Sequence, residues 1–185
     1  LFITDSYESL NLKKDTSILM IDEAIKNKLD VFQCELNDLF IEEDTVFANS
    51  SSILSSQSKF IKDTDKKEIK VSDFKHCFMR KDPPVDEDYI NALHLLGLAE
   101  KQGANVHNKP NSIKEFNEKI FAIHFSKYIP NTLVTSNIKK IHKFFERYEN
   151  IVIKPLDGMG GKSIFKITEF NNQDIDLINK MTNSG

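Results

Sequence analysis

The clearest candidate for chemistry is a glycine-rich segment at residues 154–163, which reads Lys-Pro-Leu-Asp-Gly-Met-Gly-Gly-Lys-Ser. Glycines at this density let successive backbone N–H groups turn toward one anion, as loops that bind phosphate require. The segment is not a Walker A loop, because the position five residues before Gly161 holds a leucine. From the residues alone, two interpretations stay open: a phosphate-binding loop, and a plain hairpin with a loose tip.

Two lysines could supply charge to such a loop. Lys154 stands at the end of an apolar Ile-Val-Ile run that predicts a strand, so its ammonium group must meet water or an anion. Lys119 lies on a predicted helix, near the edge of its apolar face, and by itself is more simply interpreted as a solvated side chain. That apolar face consists of Ile113, Phe116, Ile120 and Ile123.

A second candidate site lies at the carboxyl end of a predicted strand, where Arg80 follows Met79. Open α/β sheets bind ligands at this edge, and a guanidinium group there can hold a carboxylate through two hydrogen bonds. A surface arginine near a turn is an equally good interpretation. Residues 13–17 (Lys-Lys-Asp-Thr-Ser) open a predicted helix and offer a further anion site, although without a dinucleotide-binding glycine pattern.

The cysteines and histidines predict neither a disulfide framework nor a metal site. Cys34 and Cys77 lie far apart in apolar segments and are best interpreted as two small buried hydrophobic residues. The histidines show no metal-binding spacing, and His76 and its neighbour Cys77 would point to opposite faces of a strand.

Composition excludes several classes of protein. Of 185 residues, 39% are hydrophobic and 29% charged, with 6 Gly and 5 Pro, which excludes collagen-like, low-complexity and disordered chains. The net charge of −3 gives no sign of nucleic acid or a membrane surface as a partner, and no apolar run reaches the roughly 20 residues of a membrane span. The sequence shows no secretory signal, and unpaired cysteines favour a cytoplasmic protein. A chain that opens on Leu-Phe-Ile without methionine reads as a piece of a longer protein.

The elements that position these residues change character along the chain. Strands are predicted at residues 1–4, 30–36, 74–79 and 105–107, with helices beginning near Asp15 and Asp86 and a hairpin at 39–48. This alternation predicts a parallel α/β sheet through about residue 112. The Ser-rich residues 49–58 and the charged residues 62–70 are predicted to form a mobile surface excursion.

From about residue 113 the pattern is that of an α+β unit. Ser112 and Glu115 have the spacing of a capping box and predict the start of a helix. A short strand at residues 133–135 and a helix at 137–148 follow. Residues 151–154 and 164–167 are then predicted to form an antiparallel hairpin around the glycine-rich segment.

Taken together and in this order, the segments resemble bacterial-type glutathione synthetases, a family of ATP-grasp ligases. The resemblance covers essentially the whole chain, and the pair Met-Arg-Lys-Asp-Pro-Pro with Lys-Pro-Leu-Asp-Gly-Met-Gly-Gly is specific. The matching stretches are Asn11-Leu12-Lys13-Lys14-Asp15-Thr16-Ser17, Met79-Arg80-Lys81-Asp82-Pro83-Pro84, Asn108-Lys109-Pro110, Asn117-Glu118-Lys119, Leu133-Val134-Thr135 and the block from Lys154 to Phe165.

The resemblance implies an α/β fold in which a Rossmann-like pre-ATP-grasp domain, a parallel sheet with flanking helices, occupies residues 1–112. Residues 113–185 would be the incomplete α+β first subdomain of an ATP-grasp fold. The resemblance also implies site residues. Those expected to bind ATP are Lys119, Lys154, Gly158, Met159, Gly160, Gly161, Lys162 and Ser163. Arg80 is expected to hold a carboxylate of γ-glutamylcysteine, with Lys14, Asp15 and Ser17 as weaker substrate-side candidates. Lys162 departs from the small residue expected at its position, so the tip of the loop could close differently.

The implied reaction joins γ-glutamylcysteine and glycine through an acyl phosphate, with ATP and Mg²⁺ (or Mn²⁺) and without a protein nucleophile. The metal ligands, the adenine pocket and a mobile loop are expected beyond residue 185, with none of the metal ligands in this chain, so the 185 residues alone are expected to be inactive. The family also suggests a homotetramer. Two alternatives stay open: another ATP-grasp carboxylate–amine ligase, and a non-catalytic truncated module that binds or regulates.

Overall fold

The structure is a computed structural model that describes residues 1–11, 13–56, 59–62, 65–158, 161 and 163–182. The chain divides into two units, Leu1–Glu115 and Phe116–Gly185, each built around its own hydrophobic core. Within the described residues, no helix is both long enough and apolar enough to cross a membrane.

The first unit contains a mixed sheet and three α-helices within the described residues. Its strands are β1 (Phe2–Ile3), β2 (Val31–Cys34), β3 (Leu39–Glu42), β4 (Thr45–Ser56), β5 (Lys59–Lys62), β6 (Lys67–Lys70), β7 (Cys77–Met79) and β8 (Val106–His107). Its α-helices are α1 (Thr16–Lys26), α2 (Glu87–Lys101) and α3 (Pro110–Glu115), and short 3-10 helices occupy Tyr7–Ser9, Leu36–Asp38 and Val71–Asp73.

The parallel part of the sheet is the scaffold for the first candidate site. Strands β2, β1, β7 and β8 lie side by side and are parallel, so their carboxyl ends share one edge. Helix α1 packs on the face that carries Phe2, and α2 packs on the face that carries Ile3, because adjacent strand residues point to opposite faces. Each fully buried side chain, such as Ile21 of α1 or Leu93 of α2, contributes about 1.5–3 kcal/mol by leaving water.

The helix boundaries follow from capping residues that the sequence shows. The Asp15 carboxylate accepts a hydrogen bond from Ser17 N (2.7 Å) at the start of α1, and Asp86 accepts one from Tyr89 N (3.0 Å) at the start of α2. Helix α2 ends before Gly103, whose φ of +99° is a conformation that glycine adopts without strain. The predicted starts of both helices are confirmed.

Both cysteines are free and buried, as predicted. Cys34 and Cys77 expose 1% and 0% of their surface and belong to the core cluster beneath α2. Burial raises the pKa of both thiols, because the apolar surroundings disfavour the thiolate.

The predicted surface excursion at residues 49–58 and 62–70 is wrong. The serines continue β4, which pairs at Ala48 with β3 and β6 together and at Ile53 with β2 and β5 together. Ser50 and Ser51 are 0% and 1% exposed, so this part of the segment lies inside the sheet and not on the surface. The charged run forms the solvent-facing strand β6. Residues 57–58 and 63–64 lie outside the described residues, and the predicted mobility stays a prediction.

The second unit packs helices against a hairpin. Its described elements are α4 (Glu118–Phe121), a 3-10 helix (Ala122–Tyr128), α5 (Ile138–Tyr148), β9 (Ile151–Ile153), β10 (Phe165–Ile167) and α6 (Asn172–Met181). Its core is formed by Ile141, Ile151, Ile167 and Ile178. Strands β9 and β10 are antiparallel with Ile153 opposite Phe165, so the predicted hairpin around the glycine-rich segment is confirmed.

Three predictions for residues 110–135 are wrong. Ser112 is not a helix cap: α3 begins two residues earlier at Pro110, a residue whose fixed φ suits the first turn of a helix. The predicted helix through residue 123 is broken, because α3 ends at Glu115 and Asn117 caps a new helix. Residues 133–135 form no strand, and the side chains of Leu133 and Val134 are exposed without a neighbouring strand to pair with.

Candidate functional site

The glycine-rich segment connects β9 to β10 in the second unit. Lys154 follows the last residue of β9 and is exposed, so it stands just beyond the strand and not inside it as the sequence suggested. Gly161 and Ser163 have φ values of +78° and +56°, the left-handed conformation that turns a backbone sharply. The predicted ATP-binding residues Met159, Gly160 and Lys162 lie outside the described residues.

Lys119 lies against this loop, and its interpretation as a solvated lysine is wrong. Its Nζ donates hydrogen bonds to the carbonyl oxygens of Gly158 (2.6 Å) and Leu156 (3.4 Å). Its side chain is 22% exposed and also forms an ion pair with the carboxylate of Glu118 (3.1 Å). The break before Asn117 explains the error, because Lys119 is the second residue of a short helix and not a position along a long one.

Asn117 joins the same group of residues. Its Oδ1 accepts hydrogen bonds from Lys119 N (3.0 Å) and Ile120 N (3.3 Å), and its Nδ2 donates to Leu156 O (3.2 Å). The side chains of Asn117 and Lys119, at the start of α4, therefore hold the loop by the carbonyl groups of Leu156 and Gly158. Lysine ammonium groups, and the backbone N–H groups of a loop with left-handed residues, are hydrogen-bond donors suited to a polyanion such as a nucleotide phosphate chain.

The second candidate site forms in the first unit, at the carboxyl edge of the parallel strands. Arg80 follows β7, and its backbone N–H donates to Ile3 O of β1 (2.8 Å). Its guanidinium group reaches the start of α1, where Nη2 donates to Thr16 Oγ1 (2.6 Å) and Nε donates to Ser17 Oγ (3.3 Å). Arg80, Asp15 and Ser17, proposed from the sequence as neighbours in one site, are thus brought together at the amino end of α1.

The segment that follows Arg80 is fixed to the sheet by Asp5. The Asp5 carboxylate forms an ion pair with Lys81 Nζ (2.9 Å) and accepts a hydrogen bond from Asp82 N (3.1 Å). Asn108 Nδ2 donates to Met79 O (2.7 Å), and the Tyr89 hydroxyl donates to Lys81 O (3.3 Å). These contacts hold Arg80 at the end of its strand.

The carboxylates at this edge influence one another. Burial raises the pKa of Asp82, and the nearby charges of Asp5 and Asp15 raise it further, while Lys81 and Arg80 oppose the shift. Three carboxylates and the two cations Arg80 and Lys81 thus lie close enough at this edge to influence one another. Lys14, also predicted for this site, is exposed in the turn before α1, where its backbone N–H donates to Asn11 O (3.0 Å).

The sequence reasoning missed Asp5. It quoted Thr16 within the anion site at residues 13–17, and Asn108 and Asn117 within matching stretches, without giving any of the three a role of its own. Asp5 and Asn108 follow the carboxyl ends of β1 and β8, a position that open α/β sheets use for ligands, so their place in the chain was an available signal. Asn117 directly precedes α4, as N-cap residues do.

The structure also brings together two histidines that are distant in sequence. His76 Nδ1 and His107 Nε2 are 3.0 Å apart, and Asn105 Nδ2 lies 3.0 Å from the same His76 atom. Both distances are within hydrogen-bonding range, and which atom donates depends on the tautomer of each ring. Among the described residues, no group of three or more His, Cys, Asp or Glu side chains could hold a metal ion.

Comparison with known proteins first defines the class. The fold resembles D-alanyl-alanine synthetase A from Vibrio cholerae O1 biovar eltor, with a TM-score of 0.52 and 14% identity over 99% of this chain and 55% of that one. Residues 1–114 match the model of the prokaryotic glutathione synthetase N-terminal domain, and residues 118–185 match that of the prokaryotic glutathione synthetase ATP-grasp domain. These matches identify a protein with an ATP-grasp fold.

The chain belongs to the prokaryotic glutathione synthetase family. It is 38% identical over 183 residues to a glutathione synthetase from Buchnera aphidicola subsp. Baizongia pistaciae, covering 97% of this chain and 56% of that protein. It is 36% identical over 185 residues to one from Vibrio vulnificus strain YJ016, covering 99% and 58%. The chain thus spans little more than half the length of these curated relatives.

Proposed function

We propose that the protein, at the length of its relatives, is an ATP-dependent ligase that joins γ-glutamylcysteine and glycine into glutathione. The observation that carries the proposal is the contact of Lys119 Nζ with Gly158 O at 2.6 Å. This contact sets a cation against the glycine-rich loop, in a chain whose two units match the two domains of one ligase family.

The second unit would bind ATP. Lys119 and Lys154 neutralise phosphate charge, and backbone N–H groups of the loop from Gly158 to Ser163 bind the outer phosphates. The loop residues included in this proposal are Gly158, Met159, Gly160, Gly161, Lys162 and Ser163. On phosphate binding, Lys119 exchanges its bonds to carbonyl oxygens for stronger bonds to anionic oxygens.

The first unit would bind the dipeptide substrate. Arg80 holds a carboxylate of γ-glutamylcysteine, and the Thr16 and Ser17 hydroxyls that now accept from Arg80 keep its guanidinium group in place. Lys14 adds positive charge beside the site, and Asp15 contributes by capping α1.

The reaction needs no protein nucleophile. The cysteinyl carboxylate of γ-glutamylcysteine attacks the γ-phosphorus of ATP, ADP leaves, and an acyl phosphate forms. The glycine amine attacks the acyl carbon, phosphate leaves, and the amine loses a proton as the amide forms. The protein supplies positioning and positive charge around the transferred phosphoryl group.

A divalent cation, Mg²⁺ or Mn²⁺, would neutralise phosphate charge in such a reaction. The described residues contain no cluster of acidic or histidine side chains that fits it. We therefore place its ligands in the part of the relatives that this chain does not span, and assign no step of the reaction to a metal bound here. The same reasoning predicts that the 185 residues alone make no glutathione. The assembly proposed is a homotetramer, as the family resemblance suggests.

The test is product analysis with a family-length protein that contains these 185 residues. We expect ATP, Mg²⁺, γ-glutamylcysteine and glycine to yield glutathione and ADP in equal amounts. Replacing the two substrates by D-alanine should yield no dipeptide. A D-alanine dipeptide would favour a different ATP-grasp ligase, and no ADP with any amine would favour a non-catalytic module. Glutathione formed by the 185-residue chain alone would refute its predicted inactivity.

A further inference from the structure

We infer that Asn117 is a positioning residue. Its side chain holds Lys119 and the glycine-rich loop in the relative arrangement that binds ATP. The inference rests on the proposed function, because it gives Asn117 a purpose only if the loop binds phosphates. It concerns a residue that would touch neither substrate nor nucleotide and would act through its neighbours.

The oxygen and the nitrogen of the Asn117 side-chain amide form hydrogen bonds with different segments. Its oxygen accepts from Lys119 N and Ile120 N (3.0 and 3.3 Å), so it caps α4. Its nitrogen donates to Leu156 O (3.2 Å), so it also holds the beginning of the loop. One side chain thereby links the helix that carries Lys119 to the loop that Lys119 contacts.

The Lys119 side chain also joins α4 to the loop. Its Nζ shares the Leu156 carbonyl with Asn117 and donates to Gly158 O. Because a trans peptide is planar, the Asp157 N–H points away from the Leu156 carbonyl that faces α4. Holding that carbonyl therefore fixes the direction of an N–H at the beginning of the loop.

Capping alone does not require asparagine. Asn, Asp and Ser cap helices about equally well, because each supplies an oxygen acceptor. Among the three, asparagine alone has the N–H that can donate to Leu156 O. An aspartate would keep the cap and set a carboxylate oxygen against a carbonyl oxygen. A serine would keep the cap, but its side chain is shorter and has one polar atom, where asparagine uses one atom for the cap and a second for Leu156 O.

The chain offers a matched control at Asn137. The Asn137 side chain caps α5 in the same unit by accepting from Lys140 N (3.2 Å). Its backbone N–H donates to Thr135 Oγ1 (3.1 Å), and its carbonyl oxygen accepts from Lys140 N and Ile141 N (3.0 and 3.1 Å). Asn137→Asp is thus the same substitution in the same capping role, away from the glycine-rich loop.

The experiment measures ATP binding by calorimetry and the melting temperature for Asn117→Asp, Asn117→Ser and Asn137→Asp in the 185-residue chain. We expect the Kd for ATP to rise about tenfold in both Asn117 variants, as loss of the hydrogen bond to Leu156 O predicts. Melting temperatures should stay close to that of the parent chain, and Asn137→Asp should bind ATP normally. Unchanged affinity in both Asn117 variants would overturn the inference.

A second measurement separates this inference from the proposed function. If the parent chain binds no ATP, the proposed nucleotide site of this chain fails, and backbone ¹⁵N relaxation without ATP then decides the role of Asn117. The order parameters of the N–H groups of Asp157 and Gly158 should fall in Asn117→Ser and stay unchanged in Asn137→Asp, because only the first variant removes the bond to Leu156 O. Equal order parameters in all three proteins would overturn the positioning role.

Discussion

At the scale of single residues, the main finding is where the positively charged side chains of Lys119 and Arg80 lie. Lys119 donates hydrogen bonds to two carbonyl oxygens of the loop, and the Arg80 guanidinium group donates hydrogen bonds to two hydroxyls at the start of α1. Both cations thus contact neutral oxygen acceptors. In the proposed function, an anion replaces the carbonyl acceptors of Lys119, whereas the hydroxyls continue to hold Arg80 in place while it binds a carboxylate.

Replacing Lys119 tests this idea. Lys119→Met keeps most of the side-chain volume and removes the charge, so the Kd for ATP should rise roughly ten- to hundredfold, as expected for a hydrogen bond to a charged group. Lys139→Met, an exposed lysine of α5 in the same unit, is the control and should change the affinity little. Calorimetric titration with ATP measures both. Equal affinities for the two variants would show that Lys119 does not contact the nucleotide.

At the scale of elements, hydrophobic patterning predicted most of the structure. Helices α1, α2 and α5 and the hairpin of β9 and β10 follow from apolar spacing and capping residues. The beginning of β4 was predicted, as the second strand of the hairpin at residues 39–48, and that hairpin is confirmed. The continuation of β4 through its serines could not be predicted, because Ser-rich composition is typical of a loop although these serines are buried in the sheet. The glycine-rich loop and Arg80 were found from local sequence. The contacts of the loop with Asn117 and Lys119, of Arg80 with Thr16, and of the segment after Arg80 with Asp5 join residues 37 to 77 positions apart, which local patterns do not encode.

The paired serines of β4 give a test of its burial. The Ser51 hydroxyl is buried and, among the described residues, has no hydrogen-bond partner, whereas Ser50 Oγ donates to Lys67 O (3.5 Å). Ser51→Ala should therefore leave the free energy of unfolding unchanged or raise it by about 1 kcal/mol. Ser50→Ala should lower it slightly. Urea denaturation measures both, and a loss of more than about 1 kcal/mol in Ser51→Ala would show that its hydroxyl has a partner.

At the scale of the whole molecule, the chain consists of two units with separate cores. One matches the N-terminal domain of the family and the other matches part of its ATP-grasp domain. The binding roles that we propose follow the boundary between the two units: the first unit binds the dipeptide carboxylate, and the second binds ATP.

Separate cores predict separate responses to core mutations. Leu93→Ala in α2 and Ile178→Ala in α6 each empty a fully buried position and should cost about 2–5 kcal/mol in their own unit. Amide exchange should accelerate in α2 for the first variant and in α5 and α6 for the second, with the other unit unchanged. If either variant accelerates exchange in both units equally, the cores are not energetically independent.

The central claim is that the carboxylate of γ-glutamylcysteine is activated by phosphoryl transfer from ATP. Oxygen transfer tests it most directly, using a family-length protein that contains these residues and substrate labelled with ¹⁸O in the cysteinyl carboxylate. Because the attacking oxygen leaves with the phosphate, the released phosphate should carry one labelled oxygen for each glutathione formed. Glutathione accompanied by unlabelled phosphate would contradict the account.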